Sequence, residues 1–168
     1  MNKISILVFL VAIISGGCEK DDICAETTET TPRLIIDFYD ITNPTLTKNV
    51  TNLGIIGEGI NTVILFNGVS RIKVPLDITK DISKYQFILN YDNSNPVFTN
   101  TDFLQFDYSR NNVFVSRACG YKTIFTFKPT SPFTQTDSAL LDGLWMKNIT
   151  VLQSNIFSEN ETHLRISF

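Results

Sequence analysis

The residue with the most legible chemistry is Cys18. Upstream of it run Met1-Asn2-Lys3, an apolar stretch from Ile4 to Ile14 broken only by Ser5, and Ser15-Gly16-Gly17. A basic start, an apolar segment of about 7–15 residues and small residues before a cleavage point make a secretory signal, too short for the roughly 20 residues of a spanning helix. A cysteine at the cleavage point predicts a bacterial lipoprotein signal. The small residues let an extended backbone enter a peptidase groove, and the Cys18 thiol, the strong nucleophile nearby, takes a diacylglyceryl group as the chain is cut after Gly17. Ser15 departs from the large aliphatic residue usual three positions before such a cysteine, and an ordinary signal peptide beside an unrelated cysteine is the alternative. Several acyl chains, at about 0.8 kcal/mol per buried CH₂, exceed the marginal hold of a single myristoyl group. The expectation is a protein bound to outer-membrane lipid through acylated Cys18 without spanning the bilayer.

With Cys18 acylated, Cys24 and Cys119 are an even pair in an oxidising compartment. A disulfide between them is expected, with two separate thiols as the alternative. It would close a loop of about 95 residues, for which the chain-entropy model gives roughly 4–5 kcal/mol.

The remaining reactive residue types fall short of a catalytic or metal constellation. His163 is the single histidine; a histidine metal site needs several ligands at helix or hairpin spacing, so it reads as a surface or packing residue. Gly57-Glu58-Gly59 is followed by Thr62 where a dinucleotide fingerprint needs a third glycine opening a helix, so it reads as a tight turn or bulge. Asp92, Asn93 and Asn95 offer oxygens but lack the glycine and distal glutamate of a calcium hand. Carboxylate pairs such as Asp37 with Asp40, or Asp77 with Asp81, are too ordinary in an acidic chain to indicate glycoside cleavage. No serine-hydrolase elbow or Walker loop occurs, and neither C-x-x-C nor H-E-x-x-H is present. The expected inventory is therefore no catalytic residue, no metal and no cofactor. Asp137-Ser138-Ala139 resembles an acidic-then-hydroxyl acceptor for O-glycosylation at Ser138. Among the 13 Phe, 5 Tyr and one Trp, Phe98, Phe103, Phe133, Trp145 and Phe157 fall in loops or off the main period, and exposed rings of that kind stack sugars or anchor interfaces.

The elements that must position these residues are strands. From Pro32 onward the dominant period is two. Leu34, Ile36 and Phe38 alternate with Arg33, Asp37 and Tyr39; Leu53 to Ile56, Val63 to Phe66, Arg71 to Val74 and Lys84 to Tyr91 follow. Asn67-Gly68 reads as a hairpin turn between two of them. Phe103 to Tyr108 and Val113 to Ala118 read as two strands joined by a turn at Ser109–Asn112. Tyr121 to Phe127 is next, then a loop over Pro129–Asp142 with one helical turn near Ser138–Leu141. Leu144 to Leu152 and His163 to Phe168 close the set. About 9–10 short strands predict an all-β antiparallel sandwich, immunoglobulin-like by strand count alone, or a flattened barrel.

The organisation expected is a signal over residues 1–17, a lipidated acidic tether over 18–31, and one β-sandwich domain over 32–168. Removing Lys3 with the signal leaves 13 basic against 17 acidic residues, a net charge of −4, so nucleic-acid binding has no electrostatic footing. Glu19-Lys20-Asp21-Asp22 resembles the acidic tag that directs some lipoproteins to the outer face of the outer membrane, the periplasmic face being the alternative.

Taken together, Cys18-Glu19-Lys20-Asp21-Asp22 with Cys24, Thr31-Pro32-Arg33 leading to Phe38-Tyr39-Asp40, Phe114-Val115-Ser116-Arg117-Ala118-Cys119-Gly120 and Glu161-Thr162-His163-Leu164 resemble an uncharacterised family of small outer-membrane lipoproteins of Gram-negative bacteria. The resemblance implies an anchored β-domain with no assigned activity and strengthens the pairing of Cys24 with Cys119. The functional expectation is a non-enzymatic accessory subunit of an outer-membrane protein assembly, partnering a β-barrel protein or complex. A carbohydrate-binding surface module is the alternative.

Overall fold

The computed structural model describes residues 23–91, 98–139 and 143–168. Cys18, the signal segment and the acidic run Glu19–Asp22 lie outside the described residues, as do the loop with Asp92, Asn93 and Asn95 and the stretch 140–142.

Regular structure in the described residues is all strand: β1 Leu34–Tyr39, β2 Leu53–Gly57, β3 Val63–Phe66, β4 Arg71–Val74, β5 Ile82–Leu89, β6 Asn100–Ser116, β7 Gly120–Phe127, β8 Phe133–Asp137, β9 Asn148–Val151, β10 Asn155–Ile156 and β11 Leu164–Ser167. They form two sheets. One has four strands in the order β4-β1-β11-β9; the other has seven, in the order β10-β7-β6-β5-β2-β3, with β8 also paired to β6. Each sheet keeps free edges, so the architecture is a sandwich and not a closed barrel. Pairing is antiparallel except between β1 and β11, which run parallel with Ile36 opposite Leu164.

Alternation places the core. On β6, Asp102, Leu104, Phe106 and Tyr108 point inward and are buried, while Phe103 and Gln105 point out. Tyr85 and Phe87 on β5, Leu53 and Ile55 on β2 and Phe125 and Phe127 on β7 complete the inner face of the large sheet. Leu34, Ile36 and Phe38 from β1, with Ile72, Val74, Leu164 and Ile166, face them from the small sheet. Fully burying side chains of this size contributes about 1.5–3 kcal/mol each. Rings make much of the contact: Tyr108 meets Phe125 edge-on at 5.2 Å, and Phe38, Trp145 and Phe168 form a triangle with centroids 5.5–6.3 Å apart.

Four strand expectations are corrected. Residues Ser109–Asn112 are not a turn; β6 runs unbroken through them, pairing β5 over its first half and β7 from Tyr108 onward. The polar run fits a strand there because both faces are wet where β6 outgrows its neighbours, and Arg110 is held by Asp81 at 2.7 Å. The hairpin turn falls later, at Arg117–Cys119, released by Gly120 at φ +69°. The expected loop over Pro129–Asp142 contains β8, whose Phe133–Asp137 pair with Phe106–Asp102; both prolines precede the strand, where a missing N–H costs nothing. Ser138 and Ala139, in the expected helical turn, are non-helical, and Leu140 and Leu141 lie outside the described residues.

Asn67-Gly68 does not close a hairpin either, because β3 and β4 belong to different sheets. The Gly68 N–H donates to the Val50 carbonyl at 2.8 Å and the Asn52 N–H to Asn67 Oδ1 at 3.2 Å, so the turn is tied to the segment before β2 and passes the chain across the sandwich. The long strand expected over Leu144–Leu152 shortens to β9, since Trp145 and Met146 are drawn into the core as a loop.

Candidate functional site

Three places bear on function: a stapled hairpin tip, a groove on the outer face of the large sheet, and a bare sheet edge beside it.

The tip is where β6 turns into β7. Cys24 and Cys119 form the expected disulfide, with Cα atoms 4.9 Å apart and a sequence separation of 95. Two further ties lay the leader along β7: Lys122 Nζ meets Glu29 Oε2 at 2.6 Å, and the Thr123 N–H donates to Thr31 Oγ1 at 3.0 Å. The leader therefore enters from the tip and reaches the body at buried Pro32. Beside the disulfide, Phe114 and Tyr121 are directly cross-strand, in edge-to-face contact at 5.3 Å. They share the inward parity of Tyr108 and Phe125, yet they are 55% and 70% exposed, because the ribbon here extends past the small sheet.

The groove encloses about 530 Å³ across β2, β5, β6 and β8. Register sets its floor: Ile56 lies opposite Gln86, Gln86 opposite Phe103, and Phe103 opposite Thr136. The next row is Lys84, Gln105 and Thr134. The side chains of Gln86, Thr134 and Thr136 make no hydrogen bond within the described residues, while Lys84 is paired with Glu58 at 3.0 Å on the rim. The surface is a half-exposed phenyl ring flanked by free amide and hydroxyl groups with no unbalanced charge. Glu58 follows Gly57 in the turn expected from sequence, with Gly59 at φ +75°.

The edge is β3. The other free edges among the described residues discourage a further strand: β4 carries Arg71 and Lys73 and is followed by Pro75, β10 is two residues long, β9 carries polar Asn148 and Thr150, and β8, paired only to β6, is largely polar and ends at Asp137. Val63-Ile64-Leu65-Phe66 has no charge, proline or bulge, and Ile64 and Leu65 are 37% and 61% exposed. Such an edge is a template for strand addition.

Trp145, expected as a possible exposed ring, is buried, with Nε1 donating to the Phe87 carbonyl at 2.9 Å; Phe98, Phe103 and Phe157 are the exposed members of that set, and Phe133 is half-buried. His163 is wholly buried. Its Nδ1 accepts from the Ile35 N–H at 2.9 Å, so Nε2 carries the proton, and that atom makes no hydrogen bond of ordinary geometry although the Ser158 carbonyl lies nearby. Burial pushes its pKa down and keeps it neutral. Asp37 is bound bidentately by Arg71 at 2.6 and 2.7 Å and Asp40 by Thr42 and Asn43, so neither is a free acid or base. Ser138 is half-buried, and its N–H donates to Asp137 Oδ1 at 2.7 Å. Among the described residues, no three His, Cys, Asp or Glu side chains cluster as metal ligands, and no helix is long and apolar enough to cross a membrane.

Sequence reasoning missed Asp102, a carboxylate with no solvent exposure. Its parity with Leu104, Phe106 and Tyr108 was the available signal. It also missed the exposure of Phe114 and Tyr121, which alternation alone assigns to the core.

The chain belongs to the family of unknown function DUF6452, whose model matches residues 52–168, from the eve of β2 to the end of β11. No curated protein and no solved structure matches it.

Proposed function

We propose that this chain is a non-enzymatic lipoprotein of the outer membrane in a Gram-negative cell envelope, held by acyl chains on Cys18 at the cell surface, where it serves as an accessory subunit of a membrane-protein assembly. The observation that supports this is the stapled leader. A flexible tether would let the domain wander, whereas the Cys24–Cys119 bond and the Glu29 and Thr31 ties fix which end of the sandwich stands nearest the anchor. The groove and the β3 edge then stand toward the other end of β6. Strand addition to β3 by an extended segment of a β-barrel partner, one of its loops outside the bilayer, is the contact in this reading.

Crosslinking with mass spectrometry on native outer membranes tests it. Crosslinks from Lys84 or Lys73, which flank the groove and the edge, to one membrane protein are expected. Recovery of the protein alone and monomeric from mild detergent, with no such crosslink, would reject the accessory role.

A second reading, a carbohydrate-binding module, is favoured by one feature: a ring beside the unpartnered Gln86 amide and two threonine hydroxyls, in a groove whose charges are balanced, suits a neutral sugar. It moves from Trp145, which is buried, to Phe103 and Gln86. A panel of neutral oligosaccharides tested by saturation-transfer NMR distinguishes the two readings, since the accessory role requires no hit.

A further inference from the structure

We propose that the tip of the β6–β7 hairpin rests in the headgroup layer of the membrane that the acyl chains occupy, with Phe114 and Tyr121 as its contact. The proposal rests on acylation of Cys18 and adds to it a lipid-facing surface on the folded domain.

Three observations converge on the tip. Two large rings stand in water there, 55% and 70% exposed and in edge-to-face contact with each other, on the face of the ribbon that carries core residues Tyr108 and Phe125 farther along β6 and β7. Ile23, next to the disulfide, is 81% exposed. Burying these groups would be favourable by roughly 25 cal/mol per Å² of apolar area, yet no element among the described residues covers them. The chain outside the structure supplies the occupant. From Cys24, bonded to Cys119, the backbone back to Cys18 spans at most about 22 Å even fully extended. A lipid on Cys18 therefore holds the tip within that distance of the bilayer. Tyrosine and phenylalanine are also the ring types that settle at this depth, a phenol placing its hydroxyl among headgroups and its ring below them.

The contact is apolar. The leader carries Glu19, Asp21 and Asp22 around a single lysine, so anionic headgroups gain nothing from it. Insertion is consequently driven by apolar burial, and raising the anionic fraction of the lipid should not strengthen it as it does for a polybasic surface.

The test uses the full-length acylated protein in vesicles of phosphatidylethanolamine and phosphatidylglycerol, footprinted with hydroxyl radicals and read by mass spectrometry against the same chain with Cys18→Ser in solution. Labelling of Phe114 and Tyr121 should fall about threefold or more, as for rings sunk roughly 5–10 Å into the interface. Phe98 and Tyr91, exposed at the other end of the sandwich, should label equally in both samples. Unchanged labelling of Phe114 and Tyr121 on a chain that is acylated and floats with the vesicles would overturn the tip contact and leave the anchor standing. A chain with an unmodified N-terminal mass that fails to float would instead overturn the anchor, and the tip contact with it. A second variant guards against misfolding as an explanation. Phe114→Thr with Tyr121→Thr replaces the rings by a favourable uncharged cross-strand pair and should keep the fold and flotation, while trypsin cleavage after Arg117, slowed in the wild type by the membrane, should return to its rate in solution. Cleavage still slowed in that variant would also overturn the proposal.

Discussion

Asp102 carries a strong test of how the fold is held. It sits on the inner face of β6 with no solvent exposure and accepts three hydrogen bonds: from the Trp145 N–H at 3.3 Å on Oδ1, and from the Met146 N–H and Gln135 Nε2, both at 2.9 Å, on Oδ2. These bonds pin the loop that inserts Trp145 and Met146 into the core. Burial pushes the carboxyl up, and the donors from Met146, Gln135 and Trp145 pull it back. Asp102→Ala strands two buried backbone N–H groups, each costing about 1–3 kcal/mol. Gln135 loses less, because its Nε2 also donates to the Met146 carbonyl at 2.8 Å. The expected loss is about 3–5 kcal/mol, near 6–20 °C in Tm for a domain of this size. Asp102→Asn keeps one acceptor and turns an NH₂ toward the other donors, so it should fall between Ala and wild type.

Urea unfolding followed by fluorescence reads this directly, since Trp145 is the one tryptophan and its indole N–H is bonded inside the core. Emission should shift to the red in Asp102→Ala even before unfolding. The pH dependence adds a sign. A carboxyl whose folded pKa lies above its unfolded value contributes stability below the unfolded pKa and loses it as pH rises through the folded one. The gap between wild type and Asp102→Asn should therefore be wider at pH 3 than at pH 7. A loss under about 1 kcal/mol in Asp102→Ala with unshifted emission would refute the pinning argument, and a gap that widens with pH would refute the raised carboxyl.

Cys24→Ser with Cys119→Ser should lower unfolding stability by about 2–5 kcal/mol, measured by denaturant titration, if the 95-residue loop behaves as chain entropy requires. His163, neutral and buried, has its pKa lowered by desolvation, so the unfolded chain takes up its proton first and wild-type stability should decline as pH drops below 6.5; thermal melts of His163→Asn should lack that component. Leu65→Lys, on the exposed edge strand, should remove crosslinks to a membrane partner while changing stability by no more than about 0.5 kcal/mol. Phe103→Ala should weaken any neutral oligosaccharide found to bind by about tenfold, read by saturation-transfer NMR, and leave accessory-partner crosslinks intact if only the sugar uses the groove.

The all-β class was legible because period two persists from β1 to β11, and the Cys24–Cys119 pair because parity and compartment left few options. What escaped reading shares one physical cause: alternation reports which face a side chain is on, but not what lies across from that face. Phe114 and Tyr121 carry the same parity as Tyr108 and Phe125, and only the length of β6 beyond the small sheet makes one pair wet and the other dry. Ser109–Asn112 has turn composition, yet it is strand because water touches both sides of the ribbon there. Asn67-Gly68 has hairpin chemistry, but its partners are Val50 and Asn52, residues that no local pattern could nominate. Trp145 looked free because it fell off the main period of its expected strand; a distant carboxylate, Asp102 on β6, holds its loop in the core.

The length of β6 also orders the candidate surfaces. From Phe114 at the tip to Phe103 in the groove is about 36 Å at the usual rise of a strand. The same strand is paired on its groove half by β5 and β8 together, and on its tip half by β7. The groove half is thus rigidly set in the seven-stranded sheet, while the tip half is a narrower ribbon braced by the leader and the disulfide. If the tip meets lipid, the groove and the β3 edge stand several nanometres from the headgroups when β6 is upright, facing what projects from the membrane and not what is embedded in it. A barrel partner would then be gripped by its loops. A crosslink map confined to transmembrane strands, together with a protected Phe114–Tyr121 pair, would require β6 to lie flat, and the upright arrangement would have to be abandoned.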